Sequence, residues 1–117
     1  MAQHLESGKY GEQRAVAYLQ SLGYQIIAIN WRYKYWEVDI VAKDADILCF
    51  VEVKTRKNTL YGEAADFVDV KKQKNLIQAA DAYLELTQYQ GEIRFDIVSV
   101  YSISKEIQLI KDAFWSN

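Results

Sequence analysis

"VDIVAKDADILCFVEVKTR", Val38 to Arg56, is the stretch whose reading decides the fold. Two runs with strand character, "VDIVAK" and "ILCFVEVKT", flank the turn-like "DAD" of Asp44–Asp46. Their composition places them within a buried sheet, yet three ionisable groups interrupt them: Asp39 in the first, Glu52 and Lys54 in the second. Burying a carboxylate or an ammonium group is costly unless it is paired or holds a metal.

Side chains two apart on a strand share a face. Glu52 and Lys54 therefore project together with Leu48 and Phe50, while Cys49, Val51 and Val53 point the other way. The plain reading is a Glu–Lys pair on a half-exposed strand. Whether Asp39 joins them depends on register, because directly opposed residues of an antiparallel hairpin have a constant numbering sum. A sum of 91 sets Asp39 opposite Glu52, and 89 makes them diagonal neighbours. A three-residue turn at Asp44–Asp46 gives an even sum and throws them onto opposite faces, unless a β-bulge intervenes. Shared chemistry thus demands an odd register or a bulge.

Outward from the hairpin, "SGKYGEQRAVAYLQSLGY" predicts a helix with Ser7 as N-cap, Gly23 as its stop and Ala15, Val16, Leu19 and Leu22 at helical spacing. "YQIIAINWR" reads as a strand and "RKNTLYGEAAD" as a polar loop. A second helix is expected from about Phe67 to Leu86, with Leu76, Ile77, Ala80 and Leu84 on one stripe. "IRFDIVSVYS" is a further strand, and "EIQLIKDAFW" a last strand with a short amphipathic end. The order α-β-β-β-α-β-(β) makes residues 1–117 one mixed α/β domain.

Composition agrees: half of the 117 residues are apolar and 26% charged, as in ordinary soluble domains. No apolar run approaches the ~20 residues of a membrane span, and "MAQHLESGKYGEQ" lacks the pattern of a signal peptide. The single cysteine, Cys49, excludes an internal disulfide, so a cytoplasmic setting is expected. The net charge of −2 sets up no global field for nucleic acid. Between Val53 and Asn75, however, six basic residues face three acidic ones, a net +3. Solvated helix and loop faces would explain that as readily as a phosphate track.

Two carboxylates converging beside a lysine suit Mg²⁺, a hard cation that bridges to a phosphate while the ammonium steadies developing charge. Glu12 extends the apolar stripe of Ala15, Val16 and Leu19, where it either joins that site or simply favours the helix dipole. Gln73 shares the stripe of Leu76, Ile77, Ala80 and Leu84; it would satisfy a backbone group or hold a water or phosphate oxygen. The only histidine, His4, stands near the N-terminus, which argues against His-based nucleophiles and zinc sites. "GKYGEQ" lacks the spacing of a phosphate loop.

Taken together, "GKYGEQRAVAYLQSLGYQIIAINWR", "EVDIVAKDADILCFVEVKTR", "YGEAADFVDVKKQKNLIQAA" and "RFDIVSV" resemble the YraN-type (UPF0102-like) bacterial proteins. These are similar to archaeal Holliday-junction resolvases within the PD-(D/E)XK nuclease superfamily. The resemblance implies a restriction-endonuclease-like core, a mixed sheet flanked by helices. It assigns Asp39 and Glu52 to metal binding, Lys54 to the motif's lysine and Glu12 to a first-helix ligand. Lys72 and Gln73 match a Lys-Gln pair of the second helix, and Arg56 and Tyr61–Gly62 border the substrate groove. Asp96 also fits the pattern, with a structural role in anchoring its strand. The superfamily's eponymous proline is absent, Val38 preceding Asp39, and Trp36 stands where relatives often carry glycine.

The reading that follows is an enzyme, a Mg²⁺-dependent nuclease hydrolysing DNA phosphodiester bonds, with branched, junction-like DNA among its substrates and Mn²⁺ as substitute metal. Glu12, Asp39, Glu52 and the carbonyl of Val53 would hold the metal. Lys54 would position water or steady the pentavalent charge, aided by Gln73. Arg56, Lys57, Lys71, Lys72 and Lys74 would contact phosphates, making binding salt-sensitive. Junction cutting calls for a two-fold homodimer. The alternative is a non-catalytic nucleic-acid-binding module of the same fold. A third reading, a protein-interaction domain, draws on Trp31, Trp36 and Trp115.

Overall fold

The computed structural model describes the backbone of residues 2–57 and 70–114, and side chains from Lys9 onward within those segments. Tyr61–Gly62, Trp115, the polar loop from residue 58 on and the expected helix start at Phe67 lie outside the described residues, while Arg56, expected in that loop, ends β3. The elements are α1 (Ala2–Ser21), β1 (Gln25–Tyr33), β2 (Trp36–Asp44), β3 (Ile47–Arg56), α2 (Val70–Thr87), β4 (Ile93–Tyr101) and β5 (Ile107–Ile110). The expected order holds throughout, with the tail's strand in place.

One five-stranded sheet runs β1-β2-β3-β4-β5. Only β3 and β4 pair in parallel, the other neighbours being antiparallel, so the sheet is mixed. The parallel pair needs a crossover, which α2 lies within. Strand alternation then sorts the core into two clusters. Phe50, Phe95 and Ile97 pack with Leu76, Ala79 and Ala80 of α2. Cys49, Val51, Val98 and Val100 pack with Ala15 and Leu19 of α1. The helices therefore cover opposite faces.

Two expectations need correction. Ser7 does not cap α1, which begins at Ala2; the helix continues back through Gly8, and its start carries no acidic first turn to mark it. Leu22 falls beyond the helix and stays 50% exposed, because the chain turns at Gly23, whose φ of 95° suits only glycine. Gly11 marks a contact that does matter. A Cβ there would collide with Thr55 Oγ1, so glycine lets α1 press onto β3 close to Glu12.

Away from that contact, Asp96 is fully buried and fully engaged. It accepts hydrogen bonds from Arg94 Nε (2.8 Å), Tyr24 Oη (3.2 Å) and the Asp112 backbone N–H (3.0 Å). Arg94 also reaches Asp44 (2.9 Å), which Lys111 joins at 3.3 Å. Asp96 thus ties β4 to the chain after β5. Cys49 lies beside this network; burial first, then the Asp96 charge, pushes its thiol up to about 12, so it is inert.

Candidate functional site

The β2–β3 hairpin turns on two residues, Ala45 and Asp46, with Ala45 at φ 54°. Asp44 pairs with Ile47 and Ile40 with Val51, a constant sum of 91. This is the odd register that brings Asp39 and Glu52 together. The ladder's last pair is Ile40–Val51, and beyond it the Val53 N–H is donated to the Asp39 carboxylate at 2.8 Å. Asp39 therefore caps the backbone where the two strands part. Along a strand a residue's N–H and C=O point to the same edge, so the Val53 carbonyl also faces β2 there.

A second irregularity releases Asp39 from ordinary alternation. Val38 and Ile40, two apart, belong to opposite core clusters. On β1, Ile29 lines a groove with α1, whereas Trp31 packs on the α2 side. Both strands thus change face between these residues, at Asp39 and at Asn30. Ile29 still pairs with Ile40 and Trp31 with Val38, so register is kept on either side. Asn30 has φ 54°, a left-handed conformation that asparagine tolerates better than most residues.

The result is a recess of about 180 Å³ lined by Tyr35, Glu37, Asp39, Glu52, Lys72 and Asn75. Burial pushes the Asp39 carboxyl up, the Glu12 and Glu37 charges push it further, and the Val53 N–H opposes them, leaving it at about 6. Glu52 rises to about 8, chiefly by burial and then by the Asp39 charge, against the pull of Lys72. A protonated Glu52 donating to ionised Asp39 is the arrangement these shifts describe. Both shifts run in the direction that favours a proton shared between the two acids.

Glu12 lies near enough for its charge to reach Asp39, but its carboxylate accepts a hydrogen bond from Asn30 Nδ2 at 3.0 Å. Among the described residues, no three His, Cys, Asp or Glu side chains converge as a metal-ligand set. The donors that do meet are two hard carboxylates in an acidic recess, which fits Mg²⁺, a cation commonly bound by one or two carboxylates with waters completing its shell.

Lys54 follows Glu52 on the α2-facing side of β3 and pairs with Ser99 of β4. Lys72 is the basic residue that lines the recess, although sequence reasoning assigned it only to phosphate contact. Lys71 and Lys74 are exposed on the same first turns of α2, and Gln73 is half-buried there. Arg56 and Lys57 stand at the end of β3, where their carbonyls accept from Ser102 and Ile103. Tyr35 and Glu37 were missed. Their signal was their place on and beside the two-residue turn between Tyr33 and Trp36. Trp36 itself packs with the α2-side core rather than over the acids.

Comparison of the sequence with known proteins finds a family match. The family described as "Uncharacterised protein family UPF0102" matches residues 11–100. A "UPF0102 protein" of Bacteroides thetaiotaomicron is 46% identical over 98% of this chain and 97% of its own length. One from Chlorobium chlorochromatii is 43% identical over 94% of this chain and 92% of its own length. Another, from Pseudomonas fluorescens, is 40% identical, covering 95% of this chain and 94% of that protein.

Proposed function

Because the chain belongs to the UPF0102 family, we propose a specific activity for a family described only as uncharacterised: divalent-cation-dependent hydrolysis of nucleic-acid phosphodiesters, in the manner of PD-(D/E)XK nucleases. The observation that carries this reading is the Asp39–Glu52 pair, two half-buried carboxylates kept opposite each other with Lys72 beside them. Asp39 and Glu52 would hold Mg²⁺, with the Val53 carbonyl on the same edge and Glu12 one layer out. A divalent cation held there would supply charge neutralisation and would lower the pKa of a water.

The chain's own groups do the rest. Val53 N–H fixes the Asp39 carboxylate in place. Lys72 opposes part of the acids' charge and would thereby ease the approach of a phosphate. Lys54, two residues after Glu52, is assigned to orienting the attacking water or to steadying charge on the phosphorus oxygens. Arg56, Lys57, Lys71 and Lys74 extend the phosphate track, and DNA, branched forms included, is the proposed substrate. Salt-dependent binding without turnover would instead indicate a non-catalytic module.

Titration calorimetry of Mg²⁺ and Mn²⁺ into wild type, Asp39→Ala and Glu52→Ala tests the shared site, with cleavage of single-stranded, duplex and branched DNA followed in parallel. Metal binding is expected in wild type and lost in both variants. Lys54→Ala is expected to keep the metal but to cut about 10²- to 10³-fold more slowly. Absence of metal binding by wild type, even with DNA present, would sink the proposal.

A further inference from the structure

Tyr35 is the most exposed large apolar side chain among the described residues, at 96%. Its position is built rather than loose. Tyr33 pairs with Trp36, so Lys34 and Tyr35 form a two-residue turn, with Lys34 at φ 56°. Every neighbour is committed elsewhere. The Tyr33 ring stacks near Trp31 with centroids 6.3 Å apart, the Lys34 ammonium sits 5.4 Å over the Tyr33 ring, and Trp36 packs against the α2-side core. None of the ring contacts among the described residues includes Tyr35. Yet this ring lines the same recess as Asp39, Glu52 and Lys72.

An aromatic ring standing at the rim of the acidic recess, on a braced turn and exposed to solvent, suits a flat π-partner. We infer that Tyr35 is a stacking platform for one unpaired nucleobase of the strand whose phosphate enters the acid recess. The inference rests on the proposed function and deepens it by naming the substrate class: single-stranded or locally unpaired nucleic acid. In an intact duplex each base is covered on both sides by its neighbours, so a protein ring cannot reach its face. An unpaired base offers that face whatever its identity. Lys72 within the recess supplies positive charge for the backbone that follows the base.

The test uses the full chain with Mg²⁺ and a single-stranded oligonucleotide carrying 2-aminopurine, compared with the same sequence as a duplex. Binding and cleavage are measured for wild type, Tyr35→Phe, Tyr35→Leu and Tyr35→Ala. The leucine variant keeps apolar bulk but has no π-face. Preference for the single strand is expected to fall roughly 5- to 100-fold in the leucine and alanine variants and to survive in the phenylalanine variant. The 2-aminopurine fluorescence should be quenched on binding to wild type and Tyr35→Phe only. Retained preference and quenching in Tyr35→Leu would overturn the inference.

The two readings separate in the same experiment. A wild type that quenches through Tyr35 but cuts nothing upholds the platform and rejects the nuclease. One that cuts with no dependence on Tyr35 does the reverse. A wild type that binds neither oligonucleotide rejects both.

Discussion

Glu52 concentrates the tension of this molecule in one side chain. Its folded pKa is raised, to about 8, so the folded state keeps a proton that the unfolded chain releases near pH 4.5. Stability contributed by that proton is fully present below the unfolded pKa and is lost as pH rises toward 8. Metal-free protein is thus expected to lose on the order of 2 kcal/mol between pH 5 and pH 8. Glu52→Gln keeps a donor toward Asp39 and cannot ionise, so over that range its denaturation midpoint should fall less than that of wild type, with only Asp39 still titrating, and should exceed wild type at pH 8. Urea denaturation at both pH values decides it, and equal slopes with pH for the two proteins would refute the assignment. At this scale the sequence was informative but partial. Asp39, Glu52 and Lys54 announced themselves as charges in apolar strands. Lys72 did not, because a helix 20 residues further on had to cross the sheet before its ammonium met Glu52. Asn30 was overlooked inside a strand, though asparagine there was a usable sign of left-handed backbone.

The elements explain why the acids meet where they do. Alternation in β3 was readable from sequence, and Leu48 and Phe50 do lie on the α2 side with Glu52 after them. Register was not readable, since a two-residue and a three-residue turn both fit "DAD" and differ in parity. The start of α1 was hidden because a serine inside a helix looks like a cap until the residues before it are seen to continue the helix. Where α1 meets β3, the Gly11–Thr55 contact sets the depth at which Glu12 approaches. Alanine at position 11 gains about 1 kcal/mol of helix propensity but must displace Thr55, an overpacking that costs about 1–3 kcal/mol. In a Gly11→Ala and Thr55→Ala double-mutant cycle followed by chemical denaturation, the alanine at 11 should stabilise only when Thr55 is truncated. Simple additivity would mean that the helix does not rest on Thr55.

Across the whole molecule, charge is arranged in two contrasting ways. Around Asp96, two acids face Arg94 and Lys111, and among the described residues no buried side-chain polar atom is left without a hydrogen bond. Around Asp39, several acids face Lys72, and the imbalance raises the proton affinity of Asp39 and Glu52. The first arrangement stabilises the fold and the second leaves room for a ligand. Overall composition conceals this, because a net charge of −2 averages the two. No helix among the described residues is long and apolar enough to cross a membrane. The sheet, meanwhile, ends on β1, nine residues long, with Ile27 and Ile29 exposed at 43% and 49%. A flat edge of that length would invite a second chain to add a strand. The left-handed turn of backbone at Asn30, placed opposite Asp39, also falls midway along this edge and interrupts the row of free amides and carbonyls. Asn30→Val, whose β-branched side chain resists positive φ, should straighten the strand and promote self-association, visible as rising light scattering with concentration. Scattering that stays at the wild-type level would refute that role. If scattering does rise in the variant, the kink that frees a carboxylate for the site would also keep the sheet's open edge from pairing with another chain.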